Sequence, residues 1–424
     1  MNRVAVRLAR NVAWLGAGEV VLKGAMFAAG VVVARGLGPA AMGAFTVAYG
    51  AAMMLMLVLT AGQVEVVIRE TARRPDTARG LSRLSREWQR RVALAVVPIS
   101  IVAAALVPDS VLRLTLLLFI PYTWLRSGLI SRGGVFKGLD RMEVEVAGRS
   151  VELGVALATL ALLTKLSAPV WITGLAFTIG ASAGLAVVMR ALHRLPPGAT
   201  PGVDRGYLAR EGAVFLLLSL GLQAMLRVDT FMLAGFGFPK EQIGLYGVAV
   251  APVWGLLGVA QLVAVAAYPT LAKAAAGGQL SVRGVLAIAL GGGAIGTTLA
   301  TALTIVKTPL VRLVFGAQYV GSVRLMALLA WALPGACVAM LMGVLVAACG
   351  RQRWGFWTQG VVLAMATVGN ALAIPRWGLV GSARVAVWVW SAGTVVAITI
   401  ACLAVRNPRR IGDGVPPALD VECS

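Results

Sequence analysis

The sequence predicts an all-α polytopic membrane protein, with about twelve transmembrane helices in two six-helix lobes around a central cavity. The first reason is composition, because 59% of the 424 residues are hydrophobic and only 13% are charged, with a mean hydropathy of +0.86. A soluble protein of this length does not need so much apolar sequence. The second reason is that apolar stretches of roughly 20 residues recur with short polar breaks. The third is that the second half of the chain repeats features of the first.

The apolar stretches are long enough to cross a membrane as helices. They cover residues 11–34, 41–66, 92–107, 111–132, 144–164, 168–190, 210–235, 242–271, 284–306, 322–348, 355–374 and 380–404. The boundary between the third and fourth spans is the least distinct, because little more than Pro108–Asp109 separates them.

The order of the spans predicts the domain organisation. We expect helices 1–6 to form an N-lobe over residues 1–206 and helices 7–12 to form a C-lobe over residues 207–406. Residues 407–424 contain three prolines and no apolar periodicity, so we expect a disordered cytoplasmic tail there.

Positive charge dominates the polar residues, and the net charge is +21 at pH 7. It lies between the apolar spans rather than on one domain face, which predicts membrane topology and argues against a nucleic-acid partner. Basic residues are about four times as numerous on the side that holds the N-terminus. We therefore expect a multi-pass protein of the cytoplasmic (inner) membrane with both termini cytoplasmic. The longest basic loop, residues 69–91, either anchors this topology on anionic membrane lipids or clamps an anionic headgroup.

Several kinds of chemistry find no support in the sequence. The four cysteines form no CxxC motif and His193 is the single histidine, so we expect no metal site and no disulfide framework. The sequence has no Walker A motif, which argues against ATP as a cofactor. The connections are also too short for a soluble catalytic domain. We expect no catalytic residues, no cofactor and no enzymatic activity.

An internal repeat relates the two halves. The run from Ala34 reads ARGLGPAAMGAFTVAYG, and the run from Leu233 reads LAGFGFPKEQIGLYGVAVA. A second, weaker match sets GLDR at residues 138–141 beside GRQR at residues 350–353. An offset near 200 residues contains an even number of spans, so the halves have the same orientation and are related by an axis along the membrane normal. Chance similarity between glycine-rich turns is the alternative.

These residues carry a resemblance to a known family. The motifs are NVAW at 11–14, ARGLGP at 34–39, RE at 69–70, VD at 228–229, FGAQY at 315–319, CGR at 349–351 and GLVGSA at 378–383. In their order and spacing they resemble the oligosaccharide-flippase group of the multidrug/oligosaccharidyl-lipid/polysaccharide exporter superfamily, over nearly the whole chain from residue 11 to 405.

The resemblance implies a function and a set of partners. It implies a flippase that moves polyprenyl-diphosphate-linked oligosaccharide units across the cytoplasmic membrane by alternating access, for surface polysaccharide biosynthesis. The partners are then the lipid-linked oligosaccharide and membrane lipids. We expect a monomer, and association with polysaccharide assembly proteins is a further option. Related branches are cation-coupled multidrug exporters and flippases of the peptidoglycan-precursor lipid, which remain as alternatives. The RGLGP segment favours the polysaccharide branch.

Charged residues within the spans are the candidates for the substrate site. Each would cost at least ~2.5–3.5 kcal/mol at membrane depth unless a partner or water solvates it. A diphosphate headgroup needs cations, and arginine binds phosphate oxygens in a bidentate way. The substrate-binding candidates are Lys23, Arg126, Arg149 and Arg227. The candidates for coupling or structural ion pairs are Glu19, Glu152 and Asp229.

Helical spacing predicts how three of these candidates are arranged. Glu19 and Lys23 are four residues apart and share a helix face, so they either neutralise one another or face the cavity together. Arg126 has no acidic neighbour nearby in its helix and needs a partner on another helix, water or the substrate. Arg149 lies four residues after Glu145 and three before Glu152, which favours a structural ladder along one helix face.

Arg227 and Asp229 are two residues apart, which places them about 200° apart around one continuous helix. We therefore expect them not to pair with each other. In the arrangement we favour, Asp229 bridges to a cation elsewhere and Arg227 faces the cavity, and the alternative is that both lock helices together. Arg384, near the end of the last helix, is the weakest candidate.

Overall fold

The computed structural model describes residues 3–406, apart from the side chains of residues 3–17, 19, 20, 265, 269, 276, 352 and 353. Every regular element in the described range is helical, which confirms the predicted fold class. The helices are α1 (Arg3–Thr60), α2 (Gln63–Arg73), α3 (Ala78–Ala105), α4 (Ser110–Gly138), α5 (Met142–Lys165), α6 (Thr173–His193), α7 (Arg205–Met225), α8 (Val228–Gly235), α9 (Lys240–Ala276), α10 (Val282–Leu310), α11 (Ser322–Ala330), α12 (Leu333–Ala348) and α13 (Gln352–Arg406). The predicted tail, residues 407–424, lies outside the described residues.

The described helices account for about twelve membrane crossings. Nine of them are long and apolar enough to span a membrane, and the bent pair α11–α12 makes ten. Two helices, α1 with 58 residues and α13 with 55, are each long enough to cross twice and contain a kink. Dividing these two at their kinks gives the twelve crossings that the hydropathy pattern predicts.

The two kinks lie where the sequence places loops between spans. In α1, Gly38 has φ 84° and ψ 179°, and in α13 Gly378 has φ 55°. Glycine adopts a positive φ without the steric cost that a Cβ atom imposes. Proline strengthens the first kink, because Pro39 disfavours the helical conformation of the residue before it. Each glycine therefore reverses the chain between two crossings without an extended loop.

The basic connection over residues 69–91 is largely helical, so its description as a loop is wrong. It comprises the end of α2, a 3-10 turn at Pro75–Thr77 and the first half of α3. In α3, Leu81, Ser85 and Gln89 recur every four residues and are buried, whereas arginines occupy the more exposed positions between them. This spacing buries one stripe of an amphipathic helix.

The chain divides into two compact units. The first contains the residues up to Val248 together with Val311–Gly321, and the second contains Ala249–Leu310 and the residues from Ser322 onward. These units follow contacts rather than chain order, so the lobe boundary between residues 206 and 207 stays a prediction.

The first unit is built around α1, α4, α5 and α6, which pack against one another. Its core holds a cluster of aromatic rings with neighbouring centroids 5.3–6.4 Å apart, formed by Phe45, Tyr49, Phe119, Tyr122 and Phe177. Glycines bring α5 and α6 into backbone contact, since a Cβ atom at Gly180 would overlap the carbonyl oxygen of Glu152. Small residues at such crossings allow membrane helices to pack closely.

The first unit also contains both turns of the internal repeat, and they pack on each other reciprocally. A Cβ atom at Gly43 would overlap the carbonyl oxygen of Lys240, and one at Gly244 would overlap that of Pro39. Only glycine fits at either position. A pair of reciprocal contacts between matched segments is the pattern that a local two-fold relation produces, which favours a genuine repeat over chance similarity.

In the second unit, α10, α12 and α13 pack together. Its core is apolar and includes Val285 of α10, Met342 and Leu345 of α12 and Ala401 of α13. Among the described residues of this unit, Asn370 and Ser382 are a buried polar pair, with a hydrogen bond of 2.8 Å between their side chains. The buried charged side chains of the described chain all lie in the first unit.

Candidate substrate site

A series of buried and half-buried polar side chains runs through the first unit. It begins at the ion pair between Arg126 of α4 and Glu152 of α5. Arg126 is 8% exposed and Glu152 is fully buried. Arg126 therefore has the interhelical partner that its isolated position in the sequence requires, and the carboxylate of Glu152 serves that arginine instead of completing a ladder along α5.

Aromatic faces continue the series from Arg126. Its guanidinium lies 5.7 Å from the ring centroid of Tyr122, one helical turn earlier in α4. The Tyr122 ring stacks on that of Tyr49 at 6.4 Å. The guanidinium of Arg227 lies 5.8 Å from the Tyr49 centroid at the opposite end of the series. Cations are attracted to aromatic faces at these distances, so two tyrosine rings lie between the two arginines.

Arg227 lies at a break between two helices. The predicted continuous span over residues 210–235 is interrupted, because α7 ends at Met225 and α8 begins at Val228. Arg227 has φ −137° and ψ −5°, outside the helical region. The angle of about 200° between Arg227 and Asp229 assumed an unbroken helix and does not apply here. The break lets the Arg227 side chain reach α1, where its Nη1 atom would lie 3.2 Å from a Cβ atom at Gly50.

Asp229 is held by neutral donors. Its Oδ2 accepts a hydrogen bond of 2.7 Å from the Tyr246 hydroxyl, and its Oδ1 accepts one of 2.6 Å from the backbone N–H of Thr230. The predicted bridge from Asp229 to a cation is thus wrong for the residues that the structure describes. A phenol and a backbone amide satisfy a carboxylate as acceptor without any positive charge.

Four buried polar atoms along this series have no hydrogen-bond partner among the described residues. They are Arg126 Nε, Tyr122 Oη, Glu152 Oε2 and Arg227 Nε. Buried polar groups in proteins are nearly always bonded to protein, water or a ligand. These four atoms therefore mark where water or the polar atoms of a ligand can bind, and we define the seven residues Tyr49, Tyr122, Arg126, Glu152, Arg227, Asp229 and Tyr246 as the polar series.

The two cations of the polar series differ in their partners. Arg126 is neutralised by Glu152, whereas the side chain of Arg227 forms no hydrogen bond or ion pair with any described residue. Asp229 is the nearest acid in sequence, but its hydrogen bonds go to Tyr246 and Thr230. Arg227 is thus the cation of the series that has no carboxylate partner among the described residues.

The remaining predicted site residues are not members of the polar series. Arg149 lies 3.9 Å from Glu145, which also pairs with Lys137 at 3.0 Å. Of the predicted ladder along α5, the pair between Glu145 and Arg149 is therefore present. Lys23 and Arg384 are exposed. The side chain of Glu19 lies outside the described residues, so its pairing with Lys23 stays a prediction.

The tyrosines of the series are functional candidates that charge alone does not identify. Two sequence signals point to them. Tyr122 lies four residues before Arg126 and so shares its helix face. Tyr246 occupies the repeat position of Phe45, and its additional hydroxyl is what bonds Asp229.

Comparison with known families finds a match over most of the chain. Residues 8–275 match the family described as polysaccharide biosynthesis protein. This range includes every residue of the polar series. None of the curated proteins matches the sequence.

The fold is similar to that of solved transporters. One is an inward-facing conformation of a multidrug resistance MATE family transporter of the MOP superfamily, with a TM-score of 0.76, 13% identity and coverage of 97% of this chain and 100% of that chain. Another is the lipid II flippase MurJ in an inward closed conformation, with a TM-score of 0.65, 11% identity and coverage of 92% and 87%. A third is the Vibrio cholerae MATE transporter VcmN in the bent form, with a TM-score of 0.61, 13% identity and coverage of 94% and 97%. At these identities the likeness concerns the fold alone.

Proposed function

Because this chain belongs to the polysaccharide biosynthesis protein family, we propose that it is a flippase for polyprenyl-diphosphate-linked oligosaccharide units. The coarser assignment does not depend on the substrate: the chain is a multi-pass membrane transporter of the multidrug/oligosaccharidyl-lipid/polysaccharide exporter superfamily. The proposal adds the anionic lipid-linked substrate, the cytoplasmic membrane as its location and both termini on the cytoplasmic side.

Arg227 carries the proposal. It is a cation in the apolar part of the first unit, its Nε atom is buried without a partner, and no carboxylate bonds it among the described residues. Arginine binds phosphate oxygens through several N–H groups at once. A diphosphate therefore suits this group.

The signs of the charges favour an anionic substrate over a cationic one. A cationic drug would need an available carboxylate, and the two acids of the polar series already have partners. Glu152 pairs with Arg126, and Asp229 accepts hydrogen bonds from Tyr246 and Thr230. The available charge is positive, which supports a lipid-diphosphate substrate. The peptidoglycan-precursor lipid is also a diphosphate and is separated from an oligosaccharide lipid by the substrate assay below.

A membrane potential favours outward transport of such a headgroup. With a negative interior, each negative charge that crosses outward gains about 2.3 kcal/mol per 100 mV. A diphosphate is an anion, so potential alone is a sufficient driver for a uniporter. Imposing a potassium diffusion potential on vesicles should accelerate transport, and reversing its sign should slow it.

The direct test is a vesicle assay with purified protein. Vesicles contain a labelled polyprenyl-diphosphate oligosaccharide on the inner leaflet, and an impermeant glycosidase outside reports each molecule that crosses. We expect cleavage in vesicles with protein and background cleavage in empty vesicles. Parallel vesicles with the peptidoglycan-precursor lipid, and others with a cationic dye, compare the alternatives. Equal cleavage with and without protein would refute the proposal, and transport of the dye alone would replace it with drug export.

A further inference from the structure

A small cationic cavity lies in the first unit, away from the polar series, between α3 and the end of α6. Its volume is about 140 Å³. Its lining consists of Arg79, Ser82, Arg83, Arg86, Met189, Leu192 and His193. No acidic residue is among them, so a group that enters this cavity meets only positive or neutral atoms. We call it the α3–α6 cavity.

Two buried atoms of the α3–α6 cavity have no partner in the described chain. Ser82 is 3% exposed, and its Oγ atom bonds nothing there. The Nε atom of Arg86 is also buried without a partner, and the other contact of this guanidinium is a weak one of 3.8 Å to the sulfur of Met189. A buried hydroxyl and a buried guanidinium N–H on one face, one helical turn apart, form a donor pair for an oxyanion.

A neighbouring arginine increases the positive charge. Arg132 of α4 also has a buried Nε atom without a partner, and it is repelled by Arg86 and Arg90. None of the ion pairs formed by the described residues includes Arg86, Arg90 or Arg132. Like charges this close are costly unless an anion neutralises them. The bias of basic residues toward one side of the membrane explains why arginines occur here, but it does not explain why they line a cavity.

The position along α6 gives the level of the cavity in the membrane. Residues 173–189 of α6 contain no charged residue, Arg190 is the first, and Met189, Leu192 and His193 form the last turn. This is where the helix leaves the hydrocarbon core and where lipid headgroups lie. Beyond the arginines, α3 continues with exposed apolar side chains, which offer a surface for an acyl chain and include Leu94, Ile99 and Val102.

We propose that the α3–α6 cavity binds the phosphate group of an anionic lipid from the cytoplasmic leaflet. The phosphate oxygens accept hydrogen bonds from Ser82 and Arg86, Arg83 adds charge at the rim, and the acyl chains lie along α3. This site is separate from the polar series and does not depend on the substrate proposed above. A bound lipid there would hold α3 against α6 and α4, which makes it a structural and regulatory ligand rather than cargo.

The test is lipid binding by delipidated protein in detergent, measured by native mass spectrometry with titrated lipid. The probes are phosphatidylglycerol, phosphatidylcholine and inorganic phosphate. We expect saturable binding of phosphatidylglycerol, and loss of about tenfold in affinity in Arg86→Gln, as removal of one charge-assisted hydrogen bond predicts. Arg83→Gln removes a charge at the rim and should fold normally while weakening binding. The matched control is Arg91→Gln, an exposed arginine of the same helix that does not line the cavity.

Each other outcome has a definite meaning. Equal losses in Arg91→Gln and Arg86→Gln would replace the site with general attraction to the surface and overturn the proposal. Equal binding of phosphatidylcholine would do the same. If inorganic phosphate displaces phosphatidylglycerol at matched concentrations, the ligand is a soluble phosphate and the lipid assignment is wrong. If Arg86→Gln fails to fold, Arg86→Lys and Arg83→Gln still measure the effect, and unchanged affinity in both would refute it.

Discussion

Arg126 and Arg227 are both cations within predicted apolar spans of the first unit, yet their surroundings differ. Arg126 has a buried carboxylate partner on the next helix, and the two charges neutralise each other. Arg227 lies at a helix break with an aromatic face beside it and no ion pair among the described residues. The first is placed by packed helices, whereas the second is placed by a short interruption between α7 and α8.

Because of this difference, we expect the two arginines to have different roles. A buried ion pair is expensive to break, so we expect the Arg126–Glu152 pair to fix how α4 and α5 pack. An arginine without a carboxylate keeps its N–H groups for another anion. The sequence alone makes both arginines substrate candidates, and we propose that Arg227, which has no carboxylate partner among the described residues, is the one that binds substrate. Four predictions test this distinction, beginning with the change that should have the largest effect.

Breaking the buried pair should destabilise the protein most. In Arg126→Gln, Glu152 remains as an uncompensated charge at zero exposure, which costs about 3–5 kcal/mol in comparable cases. Glu152→Gln should cost a similar amount, because Arg126 is then left without its partner. We expect a lower midpoint of thermal unfolding in detergent and a lower folded yield for each variant.

The double variant Arg126→Gln/Glu152→Gln separates pairing from packing. It removes both charges at once, so it should recover much of the stability that either single variant loses. Arg141→Gln is the matched control, since its pair with Glu143 at 3.5 Å is about half exposed and should be worth at most about 1 kcal/mol. If the double variant is no better than the singles, the pair does not determine the packing of α4 and α5.

Arg227→Gln should affect transport more than stability. Removing a charge-assisted contact of about 1.5–3 kcal/mol lowers the transport rate roughly tenfold to a hundredfold. Because Arg227 has no ion pair to break among the described residues, the unfolding midpoint should change little. The measurement is the glycosidase assay in vesicles, with yield and unfolding recorded on the same preparation. Arg376→Gln, an exposed arginine of α13, is the control, and equal transport by both variants would contradict a substrate role for Arg227.

The fold could be predicted because hydropathy and turn residues determine it directly. The kinks at Gly38 and Gly378 fall between predicted spans, and glycine at positive φ explains both. The helical first half of α3 was missed because its arginines dominate any hydropathy window. Its helical character is visible only in the spacing of its buried residues, such as Leu81, Ser85 and Gln89.

The site could be predicted only in its residue types. Charges within apolar spans identified Arg126, Glu152, Arg227 and Asp229, but spacing within one helix cannot show partners on other helices. Arg126 and Glu152 are 26 residues apart in the chain, and their meeting depends on how α4 and α5 are rotated. No proline or glycine lies at the helix break at Arg227, so the sequence does not indicate the break. The prediction for Asp229 assumed an unbroken helix, and the expected bridge from Asp229 to a cation was wrong.

Tyr246→Phe tests the neutral support of Asp229. The variant removes one hydrogen bond of 2.7 Å and leaves the ring in place, and phenylalanine already occupies the matching repeat position at residue 45. A buried acceptor that loses a donor costs about 1–3 kcal/mol. We expect a lower unfolding midpoint and a slower transport rate, both smaller than the effects above. Tyr268→Phe, an exposed tyrosine of the same helix, is the control, and an equal change in both would show that the bond to Asp229 has no special role.

The smallest effect should come from an ion pair at the surface, which is the limiting case of the comparison. Lys240 donates to Asp109 at 2.7 Å, with side chains 29% and 42% exposed. This hydrogen bond from Lys240 lowers the pKa of Asp109 below its usual range, and the backbone N–H of Leu112 acts in the same direction. A lowered carboxyl pKa contributes stability that is present above the unfolded pKa of about 4 and lost as the pH falls through the folded pKa. For an exposed pair that contribution is about 0.2–1 kcal/mol and decreases with added salt.

Asp109→Asn should therefore lower the unfolding midpoint slightly at neutral pH, and the deficit should shrink as the pH falls below the unfolded pKa. A deficit as large as that of Arg126→Gln would mean that exposure does not govern the strength of ion pairs in this unit, and the contrast between its buried and exposed charges would fail.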